Sequence, residues 1–117
     1  MKIENIKYKA KRLDNGEWVI GDLLHSYENG AIIVPIEGGG AFSVDPSTVC
    51  QFVGLTDKNG TPIFEGDIVM HKDNNAERRG DINWDSKAAA FCFGQCFLVN
   101  YSSEDMVVIG NKFDKKK

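Results

Sequence analysis

The dipeptide Asn-Gly occurs three times, at Asn15-Gly16, Asn29-Gly30 and Asn59-Gly60, each beside a segment of apolar residues only four to nine long. Gly adopts positive φ freely and Asn tolerates it, which is what the tight turns joining antiparallel strands require, so this punctuation commits the chain to hairpins. The residues around the first turn agree. Ile6, Tyr8 and Ala10 alternate with Lys7, Lys9 and Lys11, a period of two that packs one face and turns three lysines to water. Beyond the turn, Trp18, Val19, Ile20, Leu23 and Leu24 read as the partner strand.

The same grammar runs on. Ala31 to Ile36 is a β-branched run in which Pro35, lacking an amide hydrogen, marks an edge or a strand end. Phe42 and Val44 follow the flexible loop Gly38-Gly39-Gly40. Asp45-Pro46-Ser47-Thr48 predicts a single capped turn, with Asp accepting amide hydrogens and Pro supplying the fixed φ, before Val49 to Val53 extends again. After Gly60, Ile63 to Met70, Ile82 with Trp84, Phe91 to Val99 and Met106 to Ile109 predict four more strands. The polar stretch His71 to Gly80 between them is long for a hairpin tip and is expected to be mobile and adaptable. No window of a dozen residues carries the 3.6-residue stripe of an amphipathic helix, so helical structure is limited to one or two short turns. The predicted fold is mainly β.

Composition bounds the remainder. With 117 residues, 42% hydrophobic and 26% charged, the chain lies within the globular range and is long enough for one ordinary domain or two very small ones. A net charge of -3 provides no whole-molecule attraction to phosphate backbones or anionic membranes. The N-terminal sequence MKIENIKYKAKR alternates instead of building an apolar core behind a basic head, and no stretch is long enough to span a membrane, so a cytoplasmic location is expected. Cys50, Cys92 and Cys96 are an odd set without framework spacing, and are expected to be reduced thiols.

Three motifs in order, Val44-Asp45-Pro46-Ser47-Thr48-Val49, Gly54-Leu55-Thr56-Asp57-Lys58-Asn59-Gly60 and Ile63-Phe64-Glu65-Gly66-Asp67-Ile68-Val69, resemble the YopX-like family of phage and prophage proteins. The resemblance extends to Ile6-Lys7-Tyr8-Lys9-Ala10, Gly80-Asp81-Ile82-Asn83-Trp84 and Val108-Ile109-Gly110-Asn111, nearly the whole chain. It implies a short β-rich N-terminal part over residues 1–53 followed by an SH3-like barrel over residues 54–117, or one compact unit. It carries no activity with it. Asp-Pro, Asn-Gly and Glu-Gly-Asp are also plain turn chemistry, and the structural reading of these motifs outweighs a functional one.

The remaining constellations are weighed against bland alternatives. Asp57, Asn59 and Glu65 mimic a calcium loop but lack its six-position ligand rhythm and flanking helices. Cys92 and Cys96, four apart, would share a face of one strand; with Phe91, Phe93 and Phe97 around them they read as buried thiols packed as small apolar groups, not as zinc ligands. A thiol nucleophile needs a base, and the two histidines, His25 beside a turn and His71 at the start of the polar loop, sit in no hydrolase motif. Glu65 and Asp67 flank a glycine that marks a turn or bulge, which weakens a paired-carboxylate reading. Gly38-Gly39-Gly40 lacks the Lys and Ser or Thr of a phosphate cradle. Arg79-Gly80-Asp81 is a three-letter match expected by chance, with Gly80 starting the next strand. No catalytic, cofactor or metal-ligating residue is assigned.

Positive charge is the one functional lead: Lys7, Lys9 and Lys11 on a strand face, Arg78 and Arg79 in the polar loop, and Lys115 to Lys117 at the tail. A basic strip beside Trp84 or Tyr101 would suit stacking on single-stranded bases, although lysines on a strand are more often an anti-aggregation face. The sequence therefore predicts a non-enzymatic phage or prophage accessory protein that binds a protein partner or self-associates through sheet edges. A nucleic-acid-binding module is the alternative, and a small cysteine-dependent enzyme the third reading.

Overall fold

The structure, a computed structural model, describes residues 2–26, 30–74 and 76–114. Among them are eleven strands: β1 (Tyr8–Lys11), β2 (Trp18–Ser26), β3 (Gly30–Pro35), β4 (Phe42–Val44), β5 (Cys50–Thr56), β6 (Pro62–Phe64), β7 (Asp67–Lys72), β8 (Glu77–Asp85), β9 (Ala90–Phe93), β10 (Cys96–Phe97) and β11 (Met106–Asn111). Helical structure is confined to 3-10 turns of three residues each. The mainly β expectation is met. The chain forms two compact units, Met1–Phe52 and Val53–Lys117, with β5 beginning in the first and ending in the second.

In the N-terminal unit the strands run in the order β4-β3-β2-β1-β5. The Gly16 turn works as its sequence predicts: Gly16 takes φ +73° and donates to the Arg12 carbonyl at 2.9 Å. The register that follows, Tyr8 opposite Gly21 and Lys11 opposite Trp18, puts Ala10 and Val19 on one face. That face buries Ala10, Ala31, Ile33 and Val44, with Tyr8, Val19, Leu23 and Val49 packed against them. The Asn29-Gly30 turn lies partly outside the described residues, and Gly30 opens β3 with φ +76°.

Gly21 shows why one position cannot carry a side chain. A Cβ there would lie 2.0 Å from the Val34 carbonyl oxygen, so β2 and β3 approach at a distance only glycine allows. The Asp45 turn forms as read: its carboxylate accepts from the Ser47 amide at 3.0 Å and from the Ser47 hydroxyl at 2.8 Å. The Thr48 hydroxyl then accepts from the Lys11 amide at 2.9 Å, tying the turn back to β1.

The C-terminal unit is a five-stranded antiparallel sheet in the order β10-β9-β8-β7-β11. Ile63, Val69, Ile82, Phe93, Leu98 and Met106 form its core, joined by Val53, Phe91, Tyr101 and Val108. Full burial of aliphatic and aromatic side chains of this size is worth about 1.5–3 kcal/mol each. The sheet is open: no pairing joins β10 to β11 among the described residues.

The edge at β11 is nevertheless occupied. Asp57 accepts from the Asn59 and Thr61 amides at 2.9 Å each and, with its other oxygen, from the Val108 amide at 2.9 Å; Lys58 donates to the Met106 carbonyl at 3.0 Å. One side chain thus shapes the Asn59-Gly60 turn and covers β11. The turn between β6 and β7 is held similarly, with buried Asp67 accepting from the Phe64 backbone amide at 2.8 Å and from the Asn111 side-chain NH2 at 2.9 Å.

Two sequence expectations are corrected. The polar stretch His71 to Gly80 is mostly strand, since β7 runs through Lys72 and β8 starts at Glu77, leaving a short connection that Asp73 helps close by accepting from the Ala76 amide. A polar residue on a strand is as well hydrated as one in a loop when its face is open, so polarity misplaced the boundary, and Gly80 and the Arg79-Gly80-Asp81 tripeptide lie inside β8. The apolar run Phe91 to Val99 is likewise not one strand. Gly94, at φ +60°, turns the chain within two residues, β10 pairs back on β9, and a 3-10 turn follows over Leu98–Asn100.

Candidate functional site

Lys9 and Lys11 on β1, with Lys7 just before it, lie on the face opposite Ala10. They are half-buried, not fully solvated as the alternation predicted, because each lies over an aromatic ring: Lys7 is 4.4 Å from the Phe52 centroid, and Lys9 and Lys11 are 4.8 and 5.4 Å from that of Trp18. Arg12, which has the parity of Ala10 and so lies on the other face, stands over Phe42 at 4.1 Å. A cation over an aromatic face gains about 0.5–1 kcal/mol at an exposed site. These contacts hold the lysine stems against the sheet while their ammonium groups remain near its surface.

Cross-strand register sets what stands beside them. Ile20 lies opposite Lys9, Asp22 opposite Val34, and Leu24 opposite Ile32, all on the lysine side of the sheet. Ile20 is 41% exposed and Leu24 53%, while Ile32 and Val34 are half-buried. A cleft of about 470 Å3 opens at the end of this row, lined by Trp18, Val19, Ile20, Pro35, Ile36 and Glu37. The outcome is an apolar strip with a cationic border on the β1 side, interrupted by the exposed carboxylate of Asp22.

The C-terminal unit carries a second concave surface. A groove of about 360 Å3 is lined by Arg78 to Gly80, Phe93 to Cys96 and Tyr101. The Arg78 guanidinium lies 5.9 Å from the Tyr101 centroid, and Arg79 pairs with Glu77 at 3.2 Å. The Tyr101 ring stands edge-on to Phe93 at 5.2 Å and to His71 at 5.1 Å. The neighbouring Cys96 thiol pushes the Tyr101 phenol up; burial and the Asp73 carboxylate add to this, and Arg78 opposes it. His71 is only 3% exposed and its Nδ1 has no hydrogen-bond partner. Leaving such an atom buried and unpaired costs about 1–3 kcal/mol.

The other sequence candidates disperse. Asp57 does not present a calcium loop, because both of its oxygens are occupied by backbone donors, and Glu65 belongs to the next turn. Asp67 is buried and spent on Phe64 and Asn111. Cys92 and Cys96 are not neighbours on one strand face: the register places Cys96 opposite Phe93 and Phe97 opposite Cys92, so the two thiols project to opposite sides of the hairpin. Cys92 is buried as expected, and burial, with the Asp85 carboxylate, raises its thiol pKa, the reverse of what an activated nucleophile needs. Cys96 is exposed, because it follows the Gly94 turn onto a two-residue edge strand. His25 lies exposed on β2 opposite Ala31.

Trp84 and Tyr101, paired in the sequence reading as stacking platforms, have different surroundings. Trp84 is 48% exposed and edge-on to Phe91 at 5.0 Å, whereas Tyr101 has the arginine. The tail lysines Lys115 to Lys117 lie outside the described residues. Sequence reasoning missed the juxtaposition of His71, Cys96 and Tyr101. They are separated by up to thirty positions and meet only through the pairing of β7 with β8 and the turn at Gly94.

No helix among the described residues is long and apolar enough to cross a membrane. No curated protein and no solved structure matches the chain. A family model does: the one described as YopX protein matches residues 7–116, and on that match, over nearly the whole sequence, the chain belongs to the YopX family.

Proposed function

We propose that this YopX-family chain is a non-enzymatic binding module, a phage or prophage accessory protein acting in the host cytoplasm. Its ligand is a segment of a partner protein laid on the outer face of the N-terminal sheet. The observation that carries this is the strip of Trp18, Ile20, Leu24, Ile32 and Val34 with lysines along its border. Isolated exposed apolar residues are normal, but several on one sheet face beside a cleft mark an interaction surface. The chemistry selects for a segment with apolar anchors, one of them sized for the Trp18–Ile36 cleft, and acidic residues to meet Lys9 and Lys11.

Nucleic acid is the weaker reading for this face. Base stacking needs a free aromatic face, and on the Trp18 ring the lysines already stand in that position. Self-association through an open edge is also disfavoured at β11, whose outward groups bond to the Asp57 turn.

The test is co-purification from the host with wild-type chain and with an Ile20→Asp, Leu24→Asp double variant, both substitutions being at exposed positions. Partners that copurify with wild type and are lost from the folded double variant support the proposal. Partners retained by the variant, or a salt-sensitive nucleic-acid ligand on this face, overturn it. Light scattering on the same samples distinguishes a second copy of the chain from a different partner.

A further inference from the structure

We propose that the groove of the C-terminal unit between Arg78, Gln95 and Tyr101 binds the oxyanion of a small ligand, a phosphate or a carboxylate. The proposal is independent of the N-terminal surface. Side chains of the lining that can donate are the Arg78 guanidinium, the Gln95 amide, the Tyr101 hydroxyl and the Cys96 thiol. On a chain of net charge -3, a guanidinium at this recess opposes the overall sign. A guanidinium fork matches the geometry of an oxyanion better than an ammonium does.

A neighbouring carboxylate decides which arginine is used. Glu77 holds Arg79 at 3.2 Å, so Arg78 is the cation the ligand takes, oriented by its position over the Tyr101 ring.

One feature marks the recess as built for occupancy: His71, whose ring is packed on Tyr101 and Phe93, the two aromatic walls of the groove. It is almost fully buried and its Nδ1 is unpartnered, a cost that native folds seldom retain without a role.

Cys96 provides the readout, since it lies in the wall and is exposed. The full chain is labelled with neutral iodoacetamide in inorganic phosphate, in acetate and in chloride at one ionic strength, and the modified cysteine is located by mass spectrometry. For a Kd on the order of 1 mM, about 10 mM anion slows Cys96 labelling roughly tenfold. Whichever of phosphate and acetate protects names the ligand class. Arg78→Gln should remove the protection, and Arg78→Lys, which keeps the charge without the fork, should restore only part of it. Amide resonances of Gly80, Gly94 and Gln95 in the unmodified chain should move with the same anion. Equal labelling in all three salts, protection that survives in folded Arg78→Gln, or three unmoved resonances would overturn the assignment.

Discussion

Asp57 is where one side chain has the largest consequence for this fold, and its removal can be worked through. The residue is 5% exposed, and its two oxygens accept three backbone amides, those of Asn59, Thr61 and Val108, at 2.9 Å each. A hydrogen bond to a charged group contributes about 1.5–3 kcal/mol, and the contributions of one carboxylate are not additive. Asp57→Asn keeps an oxygen for the Asn59 and Thr61 amides but sets an NH2 donor against the Val108 N–H. It should therefore cost about 2 kcal/mol, or a melting temperature lower by roughly 10 °C. Asp57→Ala strands all three donors and should cost about 3–5 kcal/mol.

The pH dependence provides the sharper test. Burial pushes the Asp57 carboxyl up, but the three amides and Lys58 outweigh it and hold the pKa below the ordinary aspartate value. A carboxyl whose folded pKa is depressed contributes stability that is fully present above its unfolded value, about 3.9, and is lost as pH falls through the folded value. Urea melts of wild type and Asp57→Asn should thus be well separated at neutral pH and converge in acid. A gap that persists unchanged below both pKa values, or a variant indistinguishable from wild type at neutral pH, would refute the account of the β11 edge.

Other substitutions probe the remaining joints. Gly21→Ala forces a methyl to within 2.0 Å of the Val34 carbonyl and should cost at least about 3 kcal/mol or prevent folding, as circular dichroism melts would show. Ala89 holds φ +52° in the connection from β8 to β9, and an L-residue there carries about 1–2 kcal/mol of strain, so Ala89→Gly should raise the melting temperature slightly despite glycine's greater unfolded-state freedom. Thiol titration of the native chain should count one fast cysteine, Cys96; Cys50 and Cys92, both buried, should react only on unfolding, and fast labelling of Cys92 would contradict the register of the β9–β10 hairpin.

Much of this protein was legible from local chemistry, because the relevant forces act within a few residues. A positive φ at Gly16 and Gly60, an Asp-Pro cap at Asp45, and strict alternation over Ile6 to Arg12 are properties of neighbouring positions. The hairpins could therefore be read directly, along with the absence of long helices and the family. The same locality misled where polarity stood in for conformation. His71 to Gly80 is polar and yet mostly strand, since a sheet needs only one buried face, and Phe91 to Val99 is apolar and yet folded back on itself by one glycine.

What tertiary structure decided is which residues meet. Sequence spacing put Cys92 and Cys96 on one face; the turn at Gly94 separated them and left one buried and one exposed. Alternation turned the lysines of β1 to water; cross-strand pairing supplied Trp18 and Phe52 beneath them, and made an apolar and cationic strip of what reads as a solvated face. Asp57 looked like a turn residue, and it is one, but its bond to Val108 spans fifty-one positions and depends on where β11 returns. The juxtaposition of His71, Arg78, Cys96 and Tyr101 has the same origin: strand pairing brings together residues that alternation along one strand cannot relate, and it is there that the groove forms.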